Sequence, residues 1–198
     1  TVLGRVAMTS GEVPPVALNL WRWTGALIVL LPFSALKVWT LRHQFIRRWW
    51  YYTVFALVGV ACFNTFFYIG LRSTTAVQGS LITSILPMLV VVWSAIFVGM
   101  RITGRHIAGL VLSIGGAALV ILRGDIGVLG TFALNNGDLW CLGAVLAWSI
   151  QTFLLRFKPA EIDMLSFATV TIALGVVMLL PVYAIETRIM PAMEWTIE

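Results

Sequence analysis

Residues 76–100 read AVQGSLITSILPMLVVVWSAIFVGM, a run of 25 positions without one charged side chain. A helix crosses the hydrocarbon of a bilayer with roughly 20 apolar residues, so this run is long enough to span. Basic residues stand at both of its ends, Arg72 before it and Arg101 and Arg105 after it. Reading outward from it, the same pattern recurs at about 16–36, 51–71, 106–122, 138–156 and 164–185, which makes about six spans. The opening TVLGRVAM is apolar but too short to cross, and reads as the end of a further helix that starts elsewhere. No signal-peptide pattern is read at this end.

The composition agrees with the spans. Of 198 residues, 60% are hydrophobic and 11% are charged, with a mean hydropathy of +0.97. Soluble domains carry roughly 25% charged residues, so this surface could not be kept in water. A soluble enzyme, a disordered tail and a secreted disulfide scaffold are excluded, and the expected class is an all-α integral membrane protein with the lipid bilayer as its partner. The net charge is +5. In a soluble chain that would suggest nucleic acid. Here the charge lies in loops, and no nucleic-acid partner is expected.

One set of loops holds Lys37, Arg42, Arg47, Arg48, Arg101, Arg105, Arg156 and Lys158, and the opposite set holds Arg72, Arg123 and Arg188. The richer set is cytoplasmic by the positive-inside rule. That orientation puts the N-terminus of the full protein in the cytoplasm and the ETRIMPAMEWTIE tail outside. Trp49, Trp50, Tyr51 and Tyr52 read as an aromatic belt at the cytoplasmic interface. Cys62 and Cys141 lie inside apolar runs and read as small hydrophobes. No metal or cofactor spacing, phosphate loop or nucleophile elbow is found.

Two weak matches share nearly one offset. Leu30-Leu31-Pro32 recurs as Leu179-Leu180-Pro181, 149 residues on, and Thr1-x-Leu3-x-Arg5 recurs as Thr152-x-Leu154-x-Arg156, 151 on. A unit of that length contains five helices, and an odd number turns the second copy upside down in the membrane. The expected fold is therefore a pair of inverted five-helix repeats, about ten helices in about 300 residues. Residues 1–123 would be the first repeat, 124–137 a periplasmic connection and 138–198 the start of the second.

On these residues the chain resembles the EamA-like branch of the drug/metabolite transporter superfamily. The resemblance runs from GRVAM and PPVALNLWRWTGALIVLLPF through FFYIGLRSTTAVQGSLITSILPMLVVVWSAIFVGMRITGRHIAGLVLSIGGAALVILRGD to NNGDLWCLGAVLAWSIQTFLLR. Family members carry a Leu-Arg-Phe-like segment where Trp21-Arg22-Trp23 stands, and a proline in the helix that holds Pro87. They also carry Gly-Glu-Arg or Gly-Glu-Lys after that helix, where this chain has Gly99-Met100-Arg101 and lacks the acid. The resemblance implies a ten-helix transporter of the bacterial inner membrane that exports small amphipathic solutes such as amino acids. No clustered His/acid or Ser/Lys constellation is read at membrane depth, so no enzymatic activity and no cofactor are expected.

Polar groups that persist inside hydrocarbon usually face the bundle or a wet cavity. Ser80, Thr83, Ser84, Pro87, Val91 and Ser94 recur at helical spacing, with Gln78 nearer the outer end. Pro87 removes an N–H and would leave the Thr83 carbonyl to a hydroxyl or a water. The stripe reads as cavity lining, or as a kinked packing face. Asn64 and Tyr68, one turn apart, read as substrate contacts or as interhelical hydrogen bonds. Trp148 and Gln151, with Ser149 beside them, offer an aromatic wall or an interfacial anchor.

Arg22 lies about 10 Å deep by helical rise. It reads as the partner of a substrate anion, or as a structural tie through Asn19 at i−3; Thr171 is its repeat equivalent. Gly109, Ser113, Gly115 and Gly116 form a small-residue face for packing or for a homodimer. No acid lies inside a span, since Asp138 and Glu186 fall at helix ends. A transporter of small solutes is the leading reading. A structural or assembly subunit, or a remnant without activity, is the alternative.

Overall fold

A computed structural model of the chain describes residues 14–121 and 135–189. The opening GRVAM, the Thr1-x-Leu3-x-Arg5 segment, Arg123, most of the 124–137 connection and the tail after 189 lie outside them. The described residues form helices and short turns, with no strand among them: α1 Pro15–Thr40, α2 Arg42–Arg47, α3 Trp49–Ala56, a π-turn Leu57–Cys62, α4 Phe63–Leu71, α5 Ala76–Thr83, α6 Leu86–Val98, α7 Gly104–Ile121, α8 Asn136–Leu155 and α9 Met164–Ile189. Among the described residues five helical stretches are long and apolar enough to cross a membrane: Pro15–Thr40, Trp49–Leu71, Gln78–Val98, Asn136–Leu155 and Met164–Arg188. The run expected at 106–122 is occupied by α7, about 27 Å long by helical rise. The protein is an all-α membrane protein.

Two compact units divide the chain, Thr1–Thr65 with Phe157–Glu198, and Phe66–Arg156. In the first, α1 packs against α9 along its length, and α9 also covers α3 and the π-turn. The backbone N–H groups of Val16 and Ala17 donate to Glu186 at one end of the pair, and Ser34 meets Thr169 at the other, 2.7 Å between oxygens. The two helices therefore run antiparallel. Pro15 opens α1, and its N-cap Pro14 has no side-chain oxygen to accept the first free N–H groups. The Glu186 carboxylate fills that role from the neighbouring helix, where a negative charge is favoured. Both helices are 26 residues long, and each carries its internal proline, Pro32 or Pro181, at the same position.

The core between them is Val16, Leu20, Val60, Ile172 and Leu179, with Trp23, Leu27, Leu30 and Val176 around it. Gly175 is placed where any Cβ would enter the Val60 side chain, so glycine is what lets α9 approach the π-turn. A second cluster is aromatic. Phe167 packs on Phe55 at 4.8 Å and on Tyr52 at 5.8 Å, and Phe45 meets Tyr52 edge-on at 5.0 Å. This corrects part of the expected belt: Trp49 and Trp50 are exposed, whereas Tyr51 and Tyr52 are buried. Successive pairs in a helix point to different faces, so a run of four aromatics cannot all face lipid.

In the second unit α8 packs against α5 and α6. Here the turn after α4 lies against the start of α8 with backbone touching backbone. A Cβ on Gly137 would come within 2.6 Å of the Gly70 carbonyl oxygen, and one on Gly70 within 2.8 Å of that of Gly137. Gly109, Gly115 and Gly116 of α7 meet nothing within 4 Å, so that small-residue face is open among the described residues.

Candidate functional site

The span at 76–100 is two helices rather than one kinked helix. α5 ends at Thr83, and α6 begins at Leu86 with Pro87 at its second position. Proline is tolerated there, because the first N–H groups of a helix have no intrahelical partner. The break resets the helical register, so Ser80, Thr83 and Ser84 belong to one segment and Pro87, Val91 and Ser94 to the next. The hydroxyls of Thr83 and Ser84 turn back to Gly79 and Leu81 carbonyls at 2.5 and 2.6 Å, rather than serving the Thr83 carbonyl. Ser80 and Pro87 are exposed, Thr83 and Ser84 are half-buried, and Ser94 is buried.

Gln78 is engaged at the head of α5. Thr75 and Gln78 form a capping box: the Thr75 hydroxyl accepts from the Gln78 N–H at 3.2 Å, and the Gln78 Oε1 accepts from the Thr75 N–H at 3.2 Å. A second box opens α8, with the Asp138 N–H donating to Asn135 and the Asn135 N–H to Asp138, both at 3.0 Å. The boxes interlock. Thr74 donates its hydroxyl to Asp138 Oδ1, and Gln78 Nε2 reaches Asp138 Oδ2 at 3.4 Å. Asp138 is thus buried with both oxygens engaged.

Beside this network a cavity of about 610 Å³ is lined by Leu81, Ile82, Ile85, Leu139 and Leu142, with Asn135, Asn136 and Asp138 at its polar end. None of the side chains expected to line a substrate path is in this lining. Further along α8, Ser149 is fully buried and accepts from the Trp93 indole at 2.8 Å. Trp148 and Gln151 are half-buried on the same helix.

In the first unit Arg22 and Asn64 come together. The Arg22 guanidinium donates to Asn64 Oδ1 at 3.1 Å and lies 5.6 Å from the Trp23 ring. Asn64 also reaches the Gly59 carbonyl at 3.4 Å. Arg22 does tie α1 to a neighbour, but through Asn64 and not through Asn19. Asn19 is committed to the π-turn: its Nδ2 donates to the Val60 carbonyl and to Thr65 Oγ1, both at 3.0 Å. A π-turn displaces carbonyls from the regular ladder, and a buried carbonyl needs a donor. Tyr68, on the same helix as Asn64, is buried. Sequence reasoning passed over Trp93, Thr74 and the role of Asp138. Only the capping boxes had a legible signal, the Thr75-x-x-Gln78 spacing.

At the near end of α9, Asp163 accepts from the Ser166 hydroxyl at 2.8 Å and its backbone N–H at 3.2 Å. These two bonds, with Lys37 nearby, hold its carboxyl below the usual aspartate range.

These helices and polar contacts define a multi-pass helical membrane protein with polar side chains held between its spans. The chain belongs to the EamA-like transporter family, whose model matches residues 1–122. It is 29% identical over 178 residues to the uncharacterized transporter YyaM of Bacillus subtilis (strain 168), covering 88% of this chain and 57% of that one. It is 28% identical over 165 residues to a WAT1-related chloroplastic protein of Arabidopsis thaliana, covering 81% and 39%. YvbV, another uncharacterized transporter of Bacillus subtilis (strain 168), is 25% identical over 172 residues, covering 87% and 53%. The chain spans little more than half the length of these relatives at most. No solved structure matches it significantly.

Proposed function

We propose that the protein exports small amphipathic metabolites, amino-acid-like solutes among them, across the bacterial cytoplasmic membrane by alternating access. The observation that carries this reading is the pairing of α1 with α9. Two helices of equal length, each with its proline at the same position, are separated by the offset of 149 and pack antiparallel. Positions equivalent at that offset, Trp23 and Ile172, Leu27 and Val176, Leu30 and Leu179, all belong to one apolar cluster. That supports a pseudo-twofold axis between inverted copies, the plan on which many secondary transporters rock around a midplane site. A structural subunit has no need of such symmetry.

Within the first unit, the Arg22–Asn64 pair is the proposed contact for an anionic group of the solute, such as a carboxylate. Within the second, Tyr68, Ser80, Thr83, Ser84, Pro87, Trp148 and Gln151 are the proposed solute-facing positions. Gln78 is assigned to the cap rather than to the path. The loops with Arg42, Arg47 and Arg48 are the proposed cytoplasmic side. The test is counterflow in proteoliposomes holding the whole transporter, with a panel of radiolabelled neutral and aromatic amino acids. Exchange above empty vesicles is expected, and Arg22→Gln should reduce it at least about tenfold for solutes bearing a carboxylate. No exchange of any member by a folded, correctly inserted protein would overturn the reading.

A further inference from the structure

Residues 39–50, between the first two spans, read WTLRHQFIRRWW, with three arginines, three tryptophans and no acid. No acid occurs anywhere between Glu12 and Asp125. The segment folds around α2, whose buried Phe45 pins it against Tyr52. With Phe45 turned inward, Trp39, Ile46, Trp49 and Trp50 are each more than half exposed, and Arg42, Arg47 and Arg48 are exposed beside them. The Arg42 guanidinium lies over the Trp39 ring at 4.6 Å. Stacking in this way holds the planar group in place while leaving its N–H edge free to bind. Among the described residues, Arg42, Arg47 and Arg48 form no ion pair. Asp163, an acid of the same unit, accepts instead from the Ser166 hydroxyl and N–H.

We propose that this turn is a docking site for the headgroup of an anionic phospholipid. Guanidinium groups take a phosphodiester bidentately, tryptophans settle at the depth of the glycerol and ester groups, and the exposed Ile46 meets the upper acyl chain. The positive-inside rule accounts for basic charge in a loop. It does not require a guanidinium stacked on an exposed tryptophan with two more arginines and an apolar side chain around it. The inference is independent of what the protein transports.

The test is lipid retention by native mass spectrometry, on protein extracted from phosphatidylcholine vesicles and from vesicles with one quarter phosphatidylglycerol. Wild type should retain phosphatidylglycerol in preference to phosphatidylcholine, and its thermal midpoint should rise when that lipid is added to the detergent. The triple variant R42Q/R47Q/R48Q should lose retention about tenfold or more, since it removes three basic groups that attract an anionic lipid surface. Because neutralising these charges can disturb insertion, R42K/R47K/R48K keeps the charge and removes the bidentate fork, and Trp39→Leu removes the stacking partner. Each is expected to weaken retention while leaving insertion intact. Equal retention of the two lipids by wild type, or undiminished preference in the lysine and Trp39→Leu variants, overturns the site. Competition by millimolar glycerol 3-phosphate as strong as that by the lipid would also overturn it, in favour of a soluble phosphate ligand.

Discussion

Arg22 and Asn64 illustrate what single residues disclose. Each is legible as out of place in hydrocarbon, because a charged or amide side chain there is costly without a partner. Their pairing is not legible, since spacing within one helix says nothing of the register between two. The i−3 neighbour Asn19 was the nearest candidate in sequence, but the π-turn takes its amide, and no residue pattern announces a π-turn. Asn64→Ala removes one acceptor from the Arg22 guanidinium and should lower stability by about 1.5–3 kcal/mol. Thermal unfolding in detergent measures this; an unchanged midpoint would mean that solvent or lipid serves Arg22 equally well. Asp163 supplies a pH dependence. Its carboxyl is held below the ordinary value of 3.8, first by the Ser166 hydroxyl, then by the Ser166 N–H, with Lys37 contributing. A depressed carboxylate stabilises the fold above its unfolded pKa, and the contribution is lost as pH falls through the folded one. Wild type should therefore lose more of its thermal midpoint than Ser166→Ala between pH 6 and about pH 3. Parallel melting curves for the two would refute the assignment.

At the scale of elements, most helices were legible and most of their joints were not. Apolar runs located α1, α7, α8 and α9 to within a few residues, because length and hydropathy are enough to mark a span. Proline inside a periodic run looks like an interruption, so the sequence offers a kinked face at Pro87 where the structure has a joint at Ser84–Ile85. Its placement at the start of α6 needed the backbone. The short helix α2 reads as loop in the sequence, because its six residues hold too little periodicity to count. The Thr75-x-x-Gln78 box was visible in the sequence, but the same glutamine also fitted a polar stripe. The interlocking of that box with Asn135 and Asp138 depends on a close approach between Gly70 and Gly137. Gly137→Ala should therefore act on the whole joint, forcing the backbones apart at a cost of about 1–3 kcal/mol. Gly143→Ala is the control, because a Cβ there meets only the Phe66 ring at 3.4 Å. Expression and thermal midpoint of the two variants check this, and equal behaviour would show that the joint yields without strain.

At the scale of the molecule, the class was legible from composition alone, and the family from the order of loose motifs. The repeat reading rests on two weak matches at nearly one offset, and the second falls partly outside the described residues. The α1–α9 pair, of equal lengths and antiparallel contacts, is a packing that the matches at this offset do not disclose. Because both helices lie in one compact unit, the pair should travel as a single body in any transport cycle, with relative motion taken up elsewhere. A disulfide tests that expectation. Ser34 and Thr169 place their hydroxyl oxygens 2.7 Å apart, a separation consistent with cysteine sulfurs bonding after small side-chain adjustment. With Cys62 and Cys141 replaced by alanine, Ser34→Cys with Thr169→Cys should cross-link under mild oxidation. Counterflow should persist at about the reduced rate, with the gain in stability appearing as a higher thermal midpoint. If the cross-link forms and transport stops until reductant is added, α1 slides on α9 during the cycle. The pair would then be a moving contact between repeats, and the rigid body would have to be sought in another helix pair.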